Sequence, residues 1–215
     1  MERVEKTVFI SYRRTNLPWA LAIYHDLTQN GYDVFIDYFG VKSGDFERVI
    51  LGNITARAHF LVLLTPSALE RCDNPEDLLR REIETALASQ RNIVPLMLEG
   101  FDFSTPKIAS QLTGELAALK RYNGLSIPPD YFMDAMRRLR EGFLNVQLTA
   151  VLHPLSASVR KAAAEQKAKV WSALSRSWRS DGSARISCAL SRIALRACKI
   201  RLGNLALSNS RIASW

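Results

Sequence analysis

The 215-residue chain predicts an α/β domain: a five-stranded parallel sheet with helices on both faces. Three observations carry that expectation. Short runs of β-branched and aromatic residues alternate with segments whose apolar residues recur every three or four positions, the rhythm of strand–helix–strand units. Phe60-Leu61-Val62-Leu63-Leu64-Thr65 has no polar side, as a strand buried on both faces requires. The stretch from Asp77 to Ala88 places Leu79, Ile83, Ala86 and Leu87 on one face of a helix.

In chain order, Val8-Phe9-Ile10-Ser11-Tyr12 reads as a buried strand and Arg13-Arg14-Thr15-Asn16 as a polar loop. Pro18 suits the first turn of a helix, which continues through Leu21, Ala22, Tyr24, His25 and Leu27 and stops at Asn30-Gly31. Tyr32 to Asp37 forms a second strand, followed by a loop over Tyr38–Asp45. Asp45 then caps a helix lined by Phe46, Val49, Ile50 and Ile54. Phe60–Thr65 is the central strand, and Asn92–Leu98 a fourth in which Pro95 is expected to interrupt the ladder. Residues 107–119 and 128–144 read as helices around a short fifth strand near Arg121-Tyr122-Asn123.

Composition narrows the class. A hydrophobic share of 47% and a charged share of 23% are those of a soluble globular protein. No uninterrupted apolar run is long enough to span a bilayer, and Met1–Lys6 lacks a secretory apolar segment, so a cytoplasmic protein is expected. Three Cys and three His show no ligand spacing, so neither a metal site nor a disulfide framework is indicated. Charge breaks sharply along the chain. Residues 1–150 carry 17 Lys and Arg against 19 Asp and Glu, a net −2, whereas 151–215 carry 12 against 2, a net +10. Such a break marks a boundary, placed here between a domain at 6–147 and a basic, helical C-terminal extension at 148–215.

Within the extension, residues 157–178 read as a helix, broken at Ser180-Asp181-Gly182-Ser183. Beyond it, Ile186, Leu190, Ile193, Ala197 and Ile200 share one helical side and Arg192, Arg196 and Lys199 another. A basic amphipathic helix can lie on an anionic membrane, bind nucleic acid or pack on a partner. A poorly ordered tail also fits the composition. The favoured expectation is a helical pair that folds back on the domain or links subunits, promoting self-association and lying outside any pocket of the preceding domain.

Two carboxylates on the 77–88 helix have different surroundings. At about 100° per residue Glu82 falls on the border of the apolar stripe, while Glu84 points to water. A half-buried carboxylate is explained by a salt bridge, by a cap, or by a site. In parallel α/β sheets the ligand crevice lies beyond the carboxyl ends of the strands. Tyr12-Arg13-Arg14, the Tyr38–Asp45 loop and the Thr65–Pro75 connection all emerge at that end, where Glu82 can join them.

Four motifs in order resemble the TIR (Toll/interleukin-1 receptor) domain, a flavodoxin-like fold. Phe9-Ile10-Ser11-Tyr12-Arg13-Arg14 looks like its opening box. Val34-Phe35-Ile36-Asp37 with Ser43-Gly44-Asp45-Phe46 resembles its second strand and BB loop, and Leu63-Leu64-Thr65-Pro66-Ser67 its third strand and turn. Arg81-Glu82-Ile83-Glu84-Thr85-Ala86-Leu87, running on to Asn92–Leu96, matches the helix and strand that bear the catalytic Glu in the NAD-cleaving branch. The likeness covers about residues 6–145. One position departs: enzymatic relatives often carry Trp four residues before the Glu, where this chain has Leu78.

The resemblance implies an NAD+ glycohydrolase, activated by self-assembly, that gives nicotinamide and ADP-ribose or a cyclic ADP-ribose, as in a bacterial immune effector. Glu82 would face the oxocarbenium-like ribose. Tyr12 and Phe46 would wall the nicotinamide and ribose, and Leu78 would form another wall. Arg13 or Arg14 would meet the diphosphate or stay solvated; Asp37 would bind or brace the loop. Ser43 and Gly44 belong to the BB loop, where Gly44 serves backbone geometry. No Gly-x-Gly-x-x-Gly occurs, so NAD+ is expected as substrate and not as a bound cofactor. A non-enzymatic TIR–TIR adaptor is the alternative, since fold does not decide function.

Overall fold

The middle of the sheet belongs to the strand whose every residue is buried, β3 (His59–Leu64). The computed structural model describes residues 5–37, 46–146, 152 and 154–180, and for Phe46, Trp171 and residues 173–180 the backbone alone. Around β3 stand β1 (Thr7–Ser11), β2 (Asp33–Ile36), β4 (Asn92–Met97) and β5 (Leu125–Ser126), all parallel, in the order β2-β1-β3-β4-β5.

Alternation along the strands divides the core into two layers. Ile10, Leu61, Leu63, Val94 and Leu96 face α1 (Leu17–Gln29) and α5 (Phe132–Arg138), meeting Trp19, Ile23, Leu27, Phe132 and Met136. Phe9, Phe60, Val62, Leu64 and Ile93 face α2 (Phe46–Thr55), α3 (Leu78–Ala88) and α4 (Pro106–Gln111), meeting Ile50, Ile54, Leu79, Ile83 and Ile108. A sheet apolar on both sides and clothed by helices on both sides is the expected architecture. Pro18 lies in the first turn of α1, and Gly31, at φ +82°, ends it in a conformation that a side chain disfavours.

Four details depart from expectation. Pro95 does not interrupt the ladder: it pairs with Val62, and β4 runs unbroken. Its outer neighbour β5 begins only opposite Leu96, so much of β4 has β3 alone as partner, where proline is tolerated. The fifth strand is Leu125–Ser126, not Arg121-Tyr122-Asn123, because those residues close a 3-10 stretch over Gly114–Arg121. Gly124 permits the approach to β4, since a Cβ there would lie 3.2 Å from the Pro95 carbonyl oxygen. The helix expected over 107–119 ends at Gln111, and Gly114, at φ +57°, opens the 3-10 stretch. The helix expected over 128–144 divides into a 3-10 turn (Pro129–Tyr131), α5 and a π turn (Leu139–Phe143). Pro129 holds Pro128 extended, at ψ 139°, so helix cannot begin there.

The first part of the extension forms α6 (Ala157–Ser180), which packs on α2 and β2. The loop over Tyr38–Asp45, the cap at Asp45, the break at Ser180–Ser183 and the second basic helix all fall outside the described residues in whole or part. No described helix is long and apolar enough to cross a membrane.

Candidate active site

Sheet order changes direction between β1 and β3, and the crevice opens beyond the carboxyl ends of those strands. α3 is set there by its first residues. The Asp77 side chain caps the helix by accepting from the Arg80 N–H, while Arg13 donates two bonds to the same carboxylate, at 2.7 and 2.8 Å. Arg13 also donates to the Ala68 carbonyl at 2.6 Å. Burial pushes the Asp77 carboxyl up, but the Arg13 bonds, the Arg13 charge and the Arg80 N–H outweigh it and hold it below its ordinary value. The Arg13 guanidinium is thus occupied in fixing the entry to α3.

Just over one turn along, Glu82 lies inside with Leu79, Ile83 and Ala86, only 5% exposed, deeper than a stripe border implies. Its carboxyl Oε2 accepts from the Ser11 hydroxyl, at the end of β1, across 2.5 Å. Removal from water pushes the Glu82 carboxyl up to about 8; the Ser11 bond opposes that rise and the Asp37 charge adds to it. At neutral pH the Glu82 carboxyl is therefore largely protonated, and a cation in the cleft draws it back to carboxylate. Glu84 takes the other side of α3 and, instead of standing alone in water, pairs with Arg80 at 2.7 Å.

Glu82 opens into a cleft of about 390 Å³, a volume suited to a small organic ligand. Tyr12, Arg13, Arg14, Asp37 and Leu78 line it as well. Tyr12 donates its hydroxyl to the Asp37 main-chain carbonyl at 2.6 Å, and Arg14 donates to the Asp37 carboxylate at 2.5 Å. The Arg14 side chain is 50% exposed against 15% for Arg13, so of these two neighbours Arg14 is the more open to the cleft. Ser43 and Gly44 lie outside the described residues, as does the Phe46 side chain, although the Phe46 backbone begins α2.

Ser11 and Asp77 were not among the residues singled out from sequence. The signal for Ser11 was a small polar residue closing an apolar strand; for Asp77 it was an N-cap residue before a helical stripe. Cys72, beside Arg13, is pushed up to about 12 by burial and stays a thiol, which disqualifies it as a nucleophile. Among the described residues no group of His, Cys, Asp and Glu is placed to hold a metal ion.

A family model for the TIR domain matches residues 8–139. The chain is 37% identical over 128 residues to the NAD(+) hydrolase tir-1 of Caenorhabditis elegans, covering 58% of this chain and 13% of that protein. It is 34% identical over 164 residues to the NAD(+) hydrolase sarm1 of Drosophila melanogaster, covering 71% of this chain and 12% of that one. The chain thus spans about an eighth of the length of these curated relatives. The TIR domain of the Toll-related receptor TRR-2 from Hydra magnipapillata aligns over 64% of this chain and 98% of that domain, with a TM-score of 0.43 and 17% identity. The family model covers more than half of the chain, and the opening box, the third strand and the Glu82 helix all fall within it: the protein belongs to the TIR domain family.

Proposed function

We propose that this chain cleaves NAD+ between nicotinamide and ribose, giving nicotinamide and ADP-ribose or a cyclic ADP-ribose. The observation that carries the reading is Glu82, a buried carboxyl held by Ser11 in the wall of an open cleft at the sheet's switch point. The names of the relatives that align over the same stretch support it.

The nicotinamide nitrogen of NAD+ is already cationic, so the leaving group needs no general acid. The bond from ribose C1′ to that nitrogen breaks with both electrons going to nicotinamide, and C1′ gains oxocarbenium character. Glu82 stabilises that charge as a carboxylate in a site shielded from water, where a fixed anion acts more strongly than in solvent. Addition of water to C1′, with loss of one proton, completes hydrolysis; attack by the adenine ring gives the cyclic product. Tyr12 and Leu78 wall the sugar and base, and Arg14, steadied by Asp37, meets the diphosphate.

As part of this reading the enzyme works in the cytoplasm on NAD+, in an immune response such as antiphage defence. It becomes active by self-association, for which Tyr38, Phe39 and Val41 supply apolar contact groups in the BB loop. The test is nicotinamide release from NAD+ by the purified chain, followed by chromatography. Glu82→Ala abolishes release with an unchanged circular dichroism spectrum. Glu84→Ala leaves it within about twofold, because neither Glu84 nor its partner Arg80 lines the cleft. Equal loss from both variants, or none from Glu82→Ala, overturns the assignment.

A further inference from the structure

α6 lies outside residues 8–139, yet one of its side chains reaches the rim of the cleft. Its inner stripe is Val159, Ala163, Gln166 and Val170, spaced by four, three and four, so all four share one helical face. Val159 packs against α2, its Cγ1 3.5 Å from where a Cβ on Gly52 would stand. Val170 joins the core layer of α1 and β2. Gln166 is the polar member, 4% exposed between apolar neighbours on the same face. Its Nε2 donates to the Asp37 carboxylate at 3.3 Å, while its Oε1 is buried with no partner among the described residues.

A buried amide with one end unsatisfied costs stability that an apolar side chain would not. A single polar residue in an apolar seam does, however, fix register, because only one alignment satisfies it. Apolar contact does not fill the seam between α6 and β2, where an open pocket of about 190 Å³ is lined by Val34, Ile36, Ala163 and Val170. The polar contact therefore sets where α6 lies relative to Asp37. Asp37 in turn holds both Tyr12, through its carbonyl, and Arg14, through its carboxylate.

We infer that Gln166 is a positioning residue for the cleft, through which α6 steadies Asp37 and so sets Arg14 and Tyr12 for the dinucleotide. This rests on the NAD+ reading above. Glu82 takes its hydrogen bond from Ser11 and feels Asp37 only through its charge, which the Gln166 variants keep, so the device acts on substrate binding.

The test uses the full chain and measures steady-state NAD+ cleavage together with calorimetric binding of ADP-ribose. Gln166→Leu keeps volume and removes the donor; Gln166→Asn keeps polarity but falls short of Asp37. In both, KM for NAD+ and Kd for ADP-ribose rise about three- to tenfold, the effect of one hydrogen bond, with kcat within twofold. Lys167→Met removes the neighbouring pair of α6 with Asp33, at 3.0 Å on the exposed side, and leaves both constants unchanged. Wild-type constants in both Gln166 variants overturn the inference and leave the NAD+ reading intact. The same rise in Lys167→Met overturns it in favour of general docking of the helix. A wild-type chain that neither cleaves NAD+ nor binds ADP-ribose overturns the NAD+ reading, and this inference with it.

Discussion

Replacing Glu82 by Gln should cost the protein its activity and make it more stable. In the folded chain the Glu82 carboxyl titrates near 8 instead of its ordinary 4.5. The folded state thus keeps a proton that the unfolded chain has lost, and stability falls as pH rises from 4.5 to 8. At about 1.4 kcal/mol per pH unit, the burden is ~3 kcal/mol at pH 7 and approaches ~5 kcal/mol above pH 8. Gln has no proton to lose, and its amide can donate to the Ser11 hydroxyl in a site of the same size. The variant should match the wild type near pH 4.5 and exceed it increasingly above. For a domain of this size ~3 kcal/mol corresponds to a rise in Tm on the order of 6–12 °C at pH 7. Differential scanning calorimetry of both proteins between pH 5 and 8.5 measures it, alongside a loss of NAD+ cleavage of about a hundredfold or more. A Tm difference that does not grow with pH, or a less stable Glu82→Gln protein at pH 8, refutes the burial argument.

Cleavage should need Glu82 as carboxylate, so kcat/KM rises with pH to a plateau above about 8 and falls toward tenfold per pH unit below it. The kcat profile shifts to lower pH, because the bound pyridinium favours the carboxylate; flat profiles between pH 6 and 9 count against this. Ser11→Ala removes the bond that opposes the rise, so the kcat/KM midpoint moves above about 8 and the unfolding free energy falls by the ~1–3 kcal/mol of a buried bond lost. An unmoved midpoint would show that Ser11 does not act on Glu82. Specific activity should climb with protein concentration; a constant value over a hundredfold dilution excludes activation by self-association.

Periodicity in the chain was enough to separate Glu82 from Glu84, because 100° per residue carries one toward Leu79 and Ile83 and the other toward Arg80. It was also enough for the two-sided strands, since a run such as Phe60–Leu64 offers no face to water. Only the tertiary structure decided what covers each buried face. Ser11 and Glu82 are 71 residues apart and meet because α3 crosses back over β1. Arg13 and Arg14 look alike in a sequence, and it is the Asp77 cap and the Asp37 rim that give one to the helix and the other to the cleft. Likewise Gln166 reads as one polar residue on a basic helix until α6 is laid against β2 and brings it to Asp37. A repeat along the chain reports which side of an element is turned inward. Its partners depend on the order of strands and the crossing of helices, which are set by contacts between distant segments and leave no period in the sequence.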